Sequence, residues 1–123
     1  MAEQPHEHTP TPTPTPHHLA AQRRELTPDA TAAFLAFSGA VFAAGALDGK
    51  TKQIIAVAVA HVTQCQQCIR SHTKSALRAG ATPRELMEAA WVAAEMRAGG
   101  AYAHSNVMLA AIHEEQAKPE AKP

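Results

Sequence analysis

Strand-forming residues are scarce in this sequence. Aromatics make up 4% of the 123 residues, and six Val and four Ile stand against 28 Ala. β-Branched and aromatic side chains favour strands, whereas alanine is the best helix former. An all-β sandwich or barrel is excluded on that ground, and so is an alternating α/β sheet. A charge excess is also missing, because eleven Lys and Arg balance eleven Asp and Glu. The chain therefore has no electrostatic footprint of a nucleic-acid binder. No apolar run approaches the roughly 18 to 20 residues that span a bilayer, so no membrane partner is expected. The start, Met1 to Pro10, lacks the charged-then-apolar pattern of a secretory signal. A cytoplasmic location follows as the expectation, and thiols stay reduced there. Two cysteines are too few for a disulfide framework, so their spacing matters more than their number.

Large aliphatic side chains are few as well. Alanine buries little area, and a domain near 100 residues is marginal alone. Ala-rich helices are expected to cover their remaining apolar faces with further copies of the chain, which predicts a homo-oligomer.

Residues 1–22 read as a separate disordered arm. Thr9 to Pro16 is a strict Thr-Pro repeat, and each Pro lacks a donor and biases its predecessor to extended geometry. His6, His8, His17 and His18 flank it, giving a weak metal-binding tail or simply a solvated arm. Residues 23–116 form the helical domain, and 117–123 a flexible tail. Thr27-Pro28 opens the first helix. Phe34, Leu35, Val41 and Phe42 recur at helical spacing, and Asp48-Gly49 marks a turn. Thr51 to Val62 is apolar nearly all round and should be the central buried helix. A bend is expected near Thr63-Gln64, then a helix from Cys65 to a left-handed Gly80. Thr82-Pro83-Arg84-Glu85 is a capping box opening a fourth helix to about Arg97. Gly99-Gly100 should interrupt it, leaving a fifth helix from Tyr102 to Gln116. The fold class is all-α, with about five helices and short connections.

The chemistry lies in Cys65-Gln66-Gln67-Cys68, followed by His72. On one helix, positions 65, 68 and 72 share a face. Two thiols at that spacing can close a disulfide with little backbone movement. A helix N-terminus favours the thiolate, and His72 sits one turn along to manage a proton. Three readings are open at this point. One is a redox-active dithiol, one a pair of structural cysteines, and one a metal site of His61, Cys65, Cys68 and His72. The metal reading needs ligands from another element, because one rod cannot surround an ion.

The stretch Leu47-Asp48-Gly49-Lys50-Thr51-Lys52, the run Cys65-x-x-Cys68-Ile69-Arg70-Ser71-His72-Thr73-Lys74 and the segment Ala76 to Thr82 resemble the carboxymuconolactone decarboxylase-like superfamily. Within it the chain looks like the alkylhydroperoxidase D-like branch, and Trp91 and Met96 to His104 fit too. The resemblance covers about residues 23–115. It implies an all-α fold assembled as trimers or hexamers. It implies reduction of hydroperoxides by the Cys pair, with electrons from a thiol donor such as a lipoylated or thioredoxin-like protein. In that branch the second cysteine, here Cys68, meets the peroxide, and Cys65 resolves. The family histidine falls on His72, and no metal or organic cofactor is implied. Decarboxylase members lack the cysteine pair.

One position departs from the pattern. The family has a glutamate twelve residues before the first cysteine, where this chain has Gln53. The resemblance gives that glutamate a proton-relay role with the histidine and cysteines. Glutamine has nearly the same shape and can orient His72, but it cannot take a proton or support an imidazolium by charge. A slow peroxidase is expected rather than none, unless Glu25 or Glu95 replaces the carboxylate. His61 could line the site if its helix continues into Cys65. Tyr102 and His104 could close the pocket, from the last helix or from a neighbouring subunit. The alternative to an enzyme is a redox-sensing or binding oligomer.

Overall fold

The computed structural model describes residues 12–119. Five helices follow one another: α1 (Pro16–Leu26), α2 (Pro28–Phe42), α3 (Gly49–Thr63), α4 (Gln66–Arg78) and α5 (Pro83–Gln116). No strand occurs among the described residues. The fold is all-α, as composition required.

Two compact units divide the chain, one reaching Val41 and one starting at Phe42. In the first, helix α1 occupies sequence expected to belong to the arm. Its start uses the last Thr-Pro of the repeat. Thr15 is the N-cap, its hydroxyl accepting from His18 N–H at 3.3 Å, with Pro16 at the first helical position. A Thr-Pro pair that reads as extended in a repeat is also a helix start when good helix formers follow it. The first eleven residues of the expected arm lie outside the described part. Thr27 ends α1 and leads into α2. Its hydroxyl donates back to Arg23 O at 3.2 Å, and its carbonyl accepts from Thr31 N–H at 3.0 Å. Neither α1 nor α2 contains a buried residue.

In the second unit, α3 packs against both α4 and α5. It is the central helix its apolar sequence predicts, but only Val57 and Ala60 of it are buried, while Ile55 and Val59 are exposed. Asp48 caps it, its carboxylate accepting Thr51 N–H at 2.7 Å. That hydrogen bond holds the Asp48 carboxyl below its ordinary range. The buried core consists of Val57 and Ala60 of α3, Ala76 of α4, Ala81, and Ala89 and Ala93 of α5. Alanines at the contact let helices approach closely but bury little apolar area each.

The helix ends carry much of the definition. α3 and α4 finish in the same Schellman pattern. At the first, Gln64 is left-handed (φ 58°), Cys65 N–H reaches Ala60 O at 3.0 Å, and Gln64 N–H reaches His61 O. At the second, Gly80 is left-handed (φ 95°), Ala81 N–H reaches Ala76 O at 2.9 Å, and Gly80 N–H reaches Leu77 O. The capping box at Thr82 and Glu85 forms as its sequence predicts, with bonds of 2.8 and 3.1 Å. Glu85 also takes Lys50 Nζ at 3.0 Å, tying the start of α5 to the start of α3. The Thr82 N–H, then Lys50, hold its carboxyl below the ordinary glutamate range.

Gly99-Gly100 does not interrupt the chain. α5 runs unbroken for 34 residues through it. Each glycine costs about 1 kcal/mol relative to alanine but removes no hydrogen bond, unlike proline. The flanking Ala98, Ala101 and Ala103 propagate the helix across the pair. The expected fourth and fifth helices are therefore one.

A Cβ on Gly100 would meet nothing within 4 Å. The Gly100→Ala variant should gain about 0.5–1 kcal/mol of stability. A thermal or urea melt of the variant against the parent checks this, with a raised midpoint as the expected outcome.

Candidate functional site

Cys65 and Cys68 are joined by a disulfide, with Cα atoms 5.2 Å apart. Both are half-buried. Cys65 stands just outside α4 as its N-cap, and its Sγ accepts the Cys68 N–H at 3.2 Å. Cys68 is in the first turn of α4. The two sulfurs thus lie where free backbone N–H groups and the helix dipole favour negative charge on a reduced sulfur. The left-handed Gln64 reverses the chain so that Cys65 follows α3 without prolonging it.

His72 lies one turn beyond Cys68 on the same helix. Its Nδ1 is 2.8 Å from Gln53 Oε1 of α3. An amide oxygen only accepts, so Nδ1 carries the proton and Nε2 is left as the ring's basic nitrogen. Gln53 therefore orients the ring as its shape allows, and it does so without charge. Phe42, the last residue of α2, stacks on the ring at 5.0 Å between centroids, with planes 27° apart. The loop behind it is held by Lys52 Nζ on Ala43 O at 2.5 Å and by Gly45 N–H on Leu47 O at 3.0 Å. Phe42 was not legible as a site residue. In sequence it is one apolar position of α2, thirty residues from the histidine it contacts.

The other singled-out residues fare differently. His61 is not continuous with the cysteines, because α3 ends at Thr63. Its Nδ1 bonds Val57 O at 2.7 Å, one turn back on its own helix. It borders a groove of about 360 Å³ with Ile69, Thr73, Leu86 and Met87, and a smaller one of about 200 Å³ with Ala93 and Arg97. Arg97 donates to Val62 O at 2.5 Å and so closes the end of α3. Tyr102, 82% exposed, and His104 lie on the solvent-facing distal half of α5. No hydrogen bond or ring contact joins either to the disulfide, His72 or Gln53 among the described residues. Within one chain, the continuous α5 holds both on its exposed distal half. Glu95 is exposed, and its Oε1 lies along its own helix beside Gly99. Glu25 is exposed in the first unit. Among the described residues of the second unit, Gln53 and not Glu95 bonds His72.

The metal reading asked for His61, Cys65, Cys68 and His72 around one ion. Among the described residues no group of three or more His, Cys, Asp or Glu is placed to hold one. The sulfurs are instead bonded to each other. Among the same residues, no helix is long and apolar enough to cross a membrane.

Comparison with known proteins follows the same lines. Over 82 residues the chain is 67% identical to the product called uncharacterized protein 4 in cox locus of Paracoccus denitrificans, covering 67% of this chain and 74% of that one. A crystal structure of a protein from Methanobacterium thermoautotrophicum superposes with a TM-score of 0.65 at 39% identity, covering 68% of this chain and 94% of that one. A carboxymuconolactone decarboxylase family protein of Thermotoga maritima, named as a candidate for a part in antioxidative response, gives a TM-score of 0.50 at 34% identity, over 52% of this chain and 66% of its own. The sequence profile of the carboxymuconolactone decarboxylase family matches residues 28–111, more than half of the chain and all of the site. The protein belongs to the carboxymuconolactone decarboxylase family.

Proposed function

We propose that the chain is a dithiol–disulfide oxidoreductase that reduces organic hydroperoxides, working slowly because Gln53 stands in for a carboxylate. The observation that carries this is the Cys65–Cys68 pair at the start of α4, one turn from a histidine whose Nδ1–H is committed to Gln53. The Thermotoga relative, named as a candidate for a part in antioxidative response, is consistent with it.

In the reduced enzyme, His72 Nε2 takes the thiol proton of Cys68. The Cys68 thiolate attacks the distal peroxide oxygen and the O–O bond breaks. Cys68 becomes a sulfenic acid, and the alkoxide leaves as the alcohol after taking a proton. The Cys65 thiolate then attacks the Cys68 sulfur, the S–O bond breaks, and water leaves as the disulfide closes. A dithiol donor, lipoylated or thioredoxin-like, returns two electrons and two protons. No bound metal or organic cofactor enters these steps.

The Cys65 Sγ, bonded to the Cys68 N–H, supports a second reading in which Cys65 carries the nucleophilic thiolate and the chain exchanges disulfides instead. Single-cysteine variants decide between the two. With an organic hydroperoxide, Cys65→Ser should trap a sulfenic acid on Cys68, detected by mass after dimedone labelling, and Cys68→Ser should not. The reverse pattern would overturn the first assignment. In the parent chain one equivalent of hydroperoxide should remove about two mass units, the two thiol hydrogens.

A neutral amide orients the ring but offers no charge to a protonated imidazole. The Gln53→Glu variant should therefore raise the second-order rate with peroxide by about tenfold or more, within the ~10²–10⁴-fold that positioned acid–base groups supply. Stopped-flow oxidation of the reduced protein measures it, and an unchanged rate would remove the relay argument.

We also infer that the working form is a homo-oligomer, a trimer or hexamer. Val57 is the one large side chain that is fully buried among the described residues, while Phe34, Phe37, Trp91, Met96 and Val107 are each more than 60% exposed. Light scattering at micromolar concentration should give a mass near three or six times 13.0 kDa. A mass near 13.0 kDa would refute the inference.

A further inference from the structure

The chain is neutral overall, but its charge is not evenly spread. Between Asp48 and Glu85 there are six Lys or Arg and no carboxylate. That is the stretch holding the disulfide, His72 and Gln53. Three of the six cations are engaged. Lys50 pairs with Glu85, Arg84 with Glu88, and Lys52 donates to Ala43 O. The other three, Arg70, Lys74 and Arg78, are all on α4 and all exposed. None forms an ion pair among the described residues. Arg78 bonds only Ser75 Oγ, at 3.1 Å.

Spacing places these three on one stripe. Positions i, i+4 and i+8 drift by only 40° per step, so they share the outer face of α4 over about 12 Å. The inner face carries Cys68, His72 and the fully buried Ala76. A shallow groove of about 470 Å³ runs along the helix, lined by Gln66, Ile69, Arg70, Thr73 and Lys74. Its apolar floor is Ile69 and its cations are Arg70 and Lys74. The stripe begins within two turns of Cys65, and the positive end of the α4 dipole adds to the same field.

A single small anion needs one or two donors, not an unpaired row 12 Å long. A row of that length matches a protein surface carrying several carboxylates. We propose that the outer face of α4 docks the protein that reduces the disulfide, and that this partner presents an acidic surface around its own dithiol. The proposal rests on the dithiol reading above and names the class of its electron donor. Docking leads to ordinary exchange. A partner thiolate attacks one Cys sulfur, the Cys65–Cys68 bond breaks, and a mixed disulfide forms as the other Cys leaves as thiolate. The partner's second thiolate then attacks its own bridged sulfur and releases the second Cys. Two electrons and two protons pass to Cys65 and Cys68, and the partner leaves as a disulfide.

The test uses the full chain and three synthetic Cys-x-x-Cys peptides, one Glu-rich, one uncharged and one Lys-rich, with dithiothreitol as the small neutral reductant. Each peptide rate is divided by that peptide's rate with a small neutral disulfide, which removes differences in thiol reactivity. At about 20 mM salt the Glu-rich peptide should reduce the chain about tenfold or more faster than the uncharged one, and the Lys-rich peptide more slowly. At about 500 mM salt the differences should collapse. The exposed triple variant Arg70→Gln, Lys74→Gln, Arg78→Gln should lose the Glu-rich advantage and keep its dithiothreitol rate. Equal normalised rates for the three peptides, or an advantage that survives in the triple variant, would overturn the docking proposal alone. A disulfide that dithiothreitol cannot open would overturn the dithiol reading and the proposal together.

Discussion

Everything at the site depends on how one residue joins two helices. Cys65 ends α3, because its N–H closes the Schellman pattern on Ala60 O. It also begins α4, because its sulfur takes the Cys68 N–H. A helix start leaves its first N–H groups without partners, and a helix end does the same for carbonyls. Using one residue for both leaves no room for a longer loop. The antiparallel return that this forces sets α4 against α3 in one register. That register is what brings residue 53 to residue 72. If the turn were a residue longer, His72 would rotate by about 100° and face away from Gln53. The left-handed Gln64 costs about 1 kcal/mol or more for a residue with a Cβ. The tight connection between the two helices offsets that strain.

Much of this was legible in the sequence, wherever the signal is local. Thr82 and Glu85 sit three apart with Pro83 between them, and Gly80 precedes them. Each feature satisfies backbone groups within one turn, so the residue types alone suffice. The Cys65–Cys68 pair and His72 are local in the same sense, and family resemblance extended the reading to Gln53. What could not be read is non-local or competitive. Phe42 contacts His72 across thirty residues, and no pattern within α2 sets it apart from Phe34 or Phe37. Thr15-Pro16 repeats three earlier Thr-Pro pairs, and what makes it a helix start is the absence of another proline after it. Gly99-Gly100 reads as a break only if propensity is taken alone. In a helix of mostly alanine, two glycines lower stability without removing any backbone bond.

The alanine core and the exposed apolar faces are two sides of one constraint. Five of the six buried hydrophobic residues are alanine. Short side chains allow α3 to lie close to α4 and α5, which a precise Gln53–His72 contact needs. The same choice leaves Trp91, Met87 and Met96 of α5 pointing outward. A monomer built this way buries little of its large apolar surface. Caps, the Lys50–Glu85 pair and the Arg97 bond to Val62 O join its helix ends where a bulky core is lacking.

Gln53 is best understood through what it keeps and what it gives up. It keeps the ring's orientation, because an amide oxygen accepts from Nδ1–H as a carboxylate would. It gives up the charge that would hold a proton on the ring. A thiol pair with a neutral orienting partner remains competent for exchange, in which one thiolate replaces another and little net proton movement crosses the imidazole. Peroxide reduction asks more of the histidine, because an alkoxide and then water must leave with protons. In the proposed cycle, Gln53 would therefore weigh on the peroxide half more than on the disulfide half. The uncompensated cations of α4 lie on the surface where that second half would take place.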